Sequence, residues 1–168
     1  TLPQVQHILV ILKRMFPWVV VDLGLPLDEL AYGFLDSADR IVVTVLPEMV
    51  GLRNTRLMLD RLNSRGYADG RVWLVVNRST MQGGVSQSDI QERLRMHVID
   101  RIPDDQPLAT LSINRGVPLV MSHRRSAVGR AVRKLARLLV EDLTPKVEAG
   151  SRNGGIGRWF SNSRNGAD

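Results

Sequence analysis

The sequence predicts an α/β fold, a mostly parallel sheet flanked by helices, and three observations carry that reading. Apolar runs of strand length alternate along the chain with amphipathic stretches of helical length. The runs are continuous and rich in valine and isoleucine rather than alternately apolar and polar, the pattern of strands buried on both faces of a parallel sheet. A helix-length segment separates consecutive runs, as right-handed parallel crossovers require.

Taken in order, Gln4 to Phe16 has helical spacing and stops at Pro17, which cannot continue a helix. Trp18 to Asp22 (WVVVD) reads as a first strand buried on both faces. Pro26 to Ala38 returns to helical spacing, with Pro26 and the acidic pair Asp28 and Glu29 suited to a first turn. Arg40 to Leu46 (RIVVTVL) is a second buried strand. Glu48 to Arg65 is a helix with Gly66 as its stop, and Arg71 to Val76 (RVWLVV) is a third strand. Ser86 to Leu94 is a short helix opened by Ser86 and Asp89 at capping-box spacing. His97 to Ile102 is a fourth strand, less apolar and therefore nearer an edge. Pro107 to Arg115 is helical, Pro118 to Met121 reads as a brief strand, and Ser126 to Leu143 is a long helix. Residues 1–145 form the folded portion. Residues 146–168 turn to Gly, Ser, Asn and Arg and read as a basic tail.

In an open parallel sheet, ligands bind outside the carboxyl ends of the strands. The residues after each run are polar in a consistent way: Asp22-Leu23-Gly24, Pro47-Glu48, Asn77-Arg78 and Pro103-Asp104-Asp105. An acid at such a position suits Mg²⁺ beside nucleotide phosphates, and an asparagine carboxamide offers a purine edge both a donor and an acceptor. Polar residues that merely end strands account for the same pattern.

The ordered motifs narrow the choice. WVVVDLG (18–24), Leu52-Arg53-Asn54, VVNR (75–78), GGVSQSD (83–89), IPDD (102–105), INRGVPL (113–119) and Arg125-Ser126 resemble, in order and spacing, the MinD/ParA superfamily of deviant-Walker P-loop ATPases. The set is more narrowly similar to the TadZ/CpaE branch, associated with Flp-type pilus assembly, over about residues 5–140. The resemblance implies that Asp22 matches the Walker B aspartate, the catalytic acid that acts beside Mg²⁺ through water. It implies that Asn77, with Arg78 next to it, contacts adenine, and that Pro103 and Asp104 belong to the loop over the base. Leu52 to Leu62 matches the helix bordering a dimer face. The implied cofactors are ATP and Mg²⁺. The implied partners are a second copy of the chain and pilus-assembly proteins, and the implied location is cytoplasmic, at the membrane or a cell pole.

One family feature is missing. No G-x-x-x-x-G-K-[ST] occurs, nor K-G-G-x-x-K-[ST], and the Gly83-Gly84 pair lacks a following lysine. A P-loop works by aiming backbone N–H groups and a lysine at phosphates. In the family that loop and its strand precede the part present here. The chain, which opens on Thr1, therefore reads as the C-terminal portion of such a domain, expected not to hold ATP-Mg²⁺ by itself.

Composition excludes several other classes. There is no cysteine, hence no disulfide, thiolate metal site or cysteine nucleophile. His7, His97 and His123 are far apart in sequence, and no serine sits in a G-x-S-x-G elbow. The net charge of +6 is unevenly distributed. Residues 1–113 carry 12 basic and 13 acidic groups, whereas residues 114–168 carry 11 and 4.

In the last helix Val128, Ala131, Val132, Leu135, Leu138 and Leu139 make an apolar face, while Arg130, Arg133, Lys134 and Arg137 form a basic one. That basic face is either an ordinary solvated surface or a contact for DNA phosphates, an anionic membrane or an acidic protein. In the tail, Ile156-Gly-Arg-Trp159-Phe160 is an apolar, aromatic patch within a basic segment. A second reading follows: a non-catalytic interaction module using the basic helix face, with a partition or positioning ATPase as the alternative within the family.

Overall fold

The computed structural model describes residues 2–24, 26–67 and 70–144. Its centre is a parallel three-stranded sheet in the order β1-β2-β3, made by β1 (Ile41–Val45), β2 (Val72–Val76) and β3 (Val98–Arg101). Val43 faces Leu74 across β1 and β2, and Leu74 faces Val98 across β2 and β3. A bulge follows, so that Val75 pairs with Asp100. The α/β class and the parallel pairing agree with the sequence.

Seven helices accompany the strands among the described residues: α1 (Leu2–Met15), α2 (Glu29–Ser37), α3 (Met49–Ser64), α4 (Gln87–Leu94), α5 (Gln106–Arg115), α6 (Leu119–Ser122) and α7 (Ala127–Leu143). Their ends follow local chemistry. The Asp28, Ser86, Asp105 and Ser126 side chains accept the N–H of Ala31, Asp89, Leu108 and Gly129, satisfying donors that a helix start leaves free. Gly66 closes α3 at a φ of +81°, a conformation that costs glycine little.

The main core lies on one face of the sheet. Ile41, Val43, Val45, Val72, Leu74, Val76 and Val98 pack against Tyr32 and Leu35 of α2, Leu52, Leu59 and Leu62 of α3, and Ile90 and Leu94 of α4. The opposite face is covered by α7 on the β3 side, where Lys134 reaches Asp100. Above β1 that face is open, and Val42 and Thr44 are exposed.

Three expectations are corrected. Trp18 to Asp22 is not a buried strand: it pairs with nothing in the sheet, Trp18 is 45% and Val20 91% exposed, and the chain meets the core beyond it, at Leu23 and Leu27. An apolar β-branched run becomes a strand only beside a neighbour with free backbone groups, and no described strand lies next to this one. The strand over residues 40–46 exists but is buried on one face only, because among the described residues β1 is a sheet edge with no helix over Val42. Pro118 to Met121 is not a strand: Leu119, Val120 and Met121 are helical. Pro118 at φ −54° opens α6, whose turn closes when the Met121 and Ser122 N–H groups donate to the Pro118 carbonyl. The proposed tail, 146–168, lies outside the described residues.

Candidate nucleotide-binding rim

The carboxyl ends of β1, β2 and β3 share one rim, and backbone hydrogen bonds join them. Asn77 N–H donates to the Val45 carbonyl at 2.9 Å, Ile102 N–H to Val76 at 2.8 Å, and Ser79 N–H to Ile102 at 2.9 Å. The loop after β1 meets the one before α4, with Val85 N–H donating to the Pro47 carbonyl at 2.8 Å. Gly84 is needed at that contact. A Cβ there would lie 3.0 Å from the Met81 carbonyl oxygen and 3.3 Å from Pro47. Gly84 is thus a tight packing point, and Gly83 beside it adopts a left-handed φ of +72°.

Four of the expected site residues come together on this rim. Arg78 adopts a left-handed φ of +53°, uncommon for a residue with a side chain. The Asn77 carboxamide oxygen accepts the Arg78 N–H at 2.9 Å, supporting that turn. The Arg78 guanidinium grips Asp104 with both arms, at 2.9 and 3.2 Å, and Nη2 also reaches Gln106 at 3.2 Å. The hydrogen bond to Asp104 and its charge raise the Arg78 pKa above its ordinary value, with Glu48 adding a smaller push. Asp104 N–H donates to the Thr80 hydroxyl at 2.9 Å, and Pro103 lies half-buried between the two anchored loops.

The result is a fixed ledge. Asn77 still has its amide hydrogens to donate, whereas Asp104 is occupied by Arg78. Thr80 and Gln106 were not singled out from sequence, although the run NRST (77–80) carries the turn signal that places Thr80.

Asp22 is not part of this cluster. It is exposed at the end of the unpaired segment and makes no hydrogen bond or ion pair among the described residues. The described residues hold no group of three histidine, cysteine or acidic side chains arranged for a metal ion. The rim thus offers one amide with free donors and a clasped carboxylate, with Asp22 standing apart from both.

The basic face divides as well. Lys134 Nζ donates to Asp100 Oδ1 at 2.7 Å and pins α7 to β3, so it is not a free surface cation. Arg130 donates to the Arg125 carbonyl and Arg137 weakly to the Arg133 carbonyl; none of Arg130, Arg133 and Arg137 meets a carboxylate among the described residues.

No protein-family model matches the sequence. The chain is 28% identical over 141 residues to the septum site-determining protein MinD of Synechocystis sp., covering 81% of this chain and 52% of that protein. It thus spans about half the length of the curated relative it matches. Its fold superposes on the crystal structure of a ParA family ATPase from Chlorobium tepidum with a TM-score of 0.76 at 18% identity, covering 82% of this chain and 57% of the other. It superposes on a chain of the MinC:MinD cell division protein complex of Aquifex aeolicus at 0.70 and 22% identity, covering 86% and 61%. For MinD of Pyrococcus horikoshii complexed with Mg-ADP the score is 0.69 at 19% identity, covering 83% and 56%. The chain has the α/β fold of the ParA and MinD structures it superposes on, and its sequence resembles that of MinD.

Proposed function

We propose that this chain is the C-terminal portion of a MinD/ParA-type ATPase domain that positions other components in the cell. The Asn77–Arg78 and Pro103–Asp104 ledge borders the base of ATP, and Asp22 serves Mg²⁺ once a P-loop half is joined. The ledge carries this reading: two loops that the sequence separates are locked together at the carboxyl ends of parallel strands, where open α/β sheets bind ligands. The unpaired 18–22 segment and the free edge of β1 support the second part, since a further strand would give both a hydrogen-bonding neighbour.

Within the superfamily, the ordered motifs favour the TadZ/CpaE branch and a part in Flp-type pilus assembly, acting as a homodimer with pilus-assembly proteins. A neighbour of this fold is seen with Mg-ADP and another with MinC, which is consistent with nucleotide-linked partner binding here. No helix among the described residues is long and apolar enough to cross a membrane. The same resemblance puts its site of action in the cytoplasm, at a membrane or pole.

ATP titration by calorimetry tests the proposal. The 168-residue chain alone should bind ATP-Mg²⁺ weakly or not at all, whereas the same chain joined to its upstream P-loop half should bind it. Asn77→Ala should then weaken binding by about tenfold, the loss of one hydrogen bond of roughly 1.4 kcal/mol. Tight ATP binding by the short chain, or an Asn77→Ala protein that binds normally, overturns it.

A second reading rests on Arg130, Arg133 and Arg137, which meet no carboxylate among the described residues. As an interaction module the chain would bind polyanions through them. Replacing all three should flatten the salt dependence of DNA binding, by up to about one log-log unit for each phosphate left without its arginine.

A further inference from the structure

We propose that residues 156–160 of this chain (Ile-Gly-Arg-Trp-Phe) dock in an open apolar groove beside the end of α7. Trp73 of β2 and Ile99 of β3 form its floor, Leu138 and Leu143 of α7 its wall, and Glu141 and Asp142 its acidic lip. It lies toward the amino ends of the strands, away from the candidate nucleotide rim.

The groove is braced from within. The Arg40 guanidinium stands 5.0 Å from the centre of the Trp73 ring and pairs with Asp142, tying floor to lip. With Asp142 taken, Glu141 remains as an exposed carboxylate with no partner among the described residues. Val42 lies in register with Trp73 and extends the floor toward β1. A hydrophobic floor beside an unpaired anion calls for an occupant that offers apolar rings next to a cation.

Position, spacing and charge identify that occupant. Thr144 itself lines the groove, so the chain leaves the described structure there. Twenty-four residues follow, and their aromatic side chains are Trp159 and Phe160, with Ile156 nearby and Arg158 among them. The patch begins twelve residues beyond Thr144. That tether holds it near the groove at an effective concentration on the order of millimolar. Residues 145–168 carry Lys146, Arg152, Arg158 and Arg164 against Glu148 and Asp168, a sign opposite to that of the groove lip. In this arrangement Trp159 and Phe160 lie on Trp73, Ile99 and Leu138 while Arg158 pairs with Glu141. Nothing in this inference depends on nucleotide binding.

Amide hydrogen exchange on the full 168-residue chain, followed by mass spectrometry, tests it. Trp159→Ser with Phe160→Ser should speed exchange at residues 72–74, 98–100 and 139–144 by roughly five- to tenfold and leave α3 unchanged. Glu141→Arg and Arg158→Glu should each do the same in part, and the two together should restore protection. Unchanged exchange in the aromatic variant overturns the proposal. So does protection that disappears on dilution, which would mean a second copy fills the groove, and so does burial of Trp159 that appears only with vesicles of anionic phospholipid.

Discussion

Arg78 Nε donates to Asp104 Oδ1 at 2.9 Å, and Nη2 donates to Oδ2 at 3.2 Å, a two-armed clasp between the loops that follow β2 and β3. A planar guanidinium matches a carboxylate in this geometry, which a lysine cannot reproduce. Arg78→Ala should leave the fold intact yet raise amide exchange at Asp104 to Gln106 several-fold, and Arg78→Lys should recover part of the protection. Asp104→Asn should act in the same direction, because it removes the charge while keeping the shape. The effect should shrink at high salt, since both partners are partly exposed.

Tyr67 gives the fold a defined response to alkali. Its buried hydroxyl donates to Asp36, and burial, followed by that hydrogen bond and the Asp36 charge, raises its pKa to about 12. The folded state therefore keeps a proton that the unfolded chain gives up near the ordinary value of 10.0. The stabilisation is complete below pH about 10 and is lost as pH rises toward about 12. Urea unfolding at pH 9 and pH 11.5 should show that fall. Tyr67→Phe should cost about 1 kcal/mol at pH 7 and remove Tyr67's share of the alkaline loss.

Lys134 is the member of the basic helix face with a structural duty. Asp100 is 7% exposed, and its Oδ2 has no hydrogen-bond partner among the described residues, so Lys134 and the Arg101 N–H are what its carboxylate has. Lys134→Met should destabilise the chain by about 1–3 kcal/mol by leaving that carboxylate buried beside fewer donors. Arg133→Met, one residue away, should change stability by less than about 0.5 kcal/mol. Chemical denaturation of the two variants distinguishes a packing contact from a solvated charge.

These contrasts show what the sequence can and cannot disclose. The parallel sheet, the helix caps at Ser86 and Ser126, and the edge position of β3 were legible because each follows from local pattern or from apolar content. The rim residues Asn77, Arg78, Pro103 and Asp104 were legible as a set, but not the clasp between Arg78 and Asp104, which depends on a left-handed turn at a non-glycine residue. Lys134 and Arg133 both belong to the basic face read from the sequence, and the tertiary contact with Asp100 of β3 separates them. The run Trp18 to Asp22 misled for another reason: pattern reports what a segment would do beside a partner strand, not whether one is present.

Leu74 is fully buried at the centre of the sheet, and Leu74→Ala should cost about 2–5 kcal/mol. Val20 sits in an equally apolar run but is 91% exposed, and Val20→Ser in the 168-residue chain should change stability by no more than about 0.5 kcal/mol. If an upstream strand pairs with this segment, as the proposed function requires, the same substitution in the extended protein buries a hydroxyl where a valine packed. It should then cost about 1–3 kcal/mol. Urea unfolding of Val20→Ser and its parent in both lengths, with Leu74→Ala of the 168-residue chain as the buried reference, gives the comparison. A Val20→Ser penalty that stays near zero in the longer protein would show that the segment remains unpaired there, and the strand-completion part of the proposal would fail.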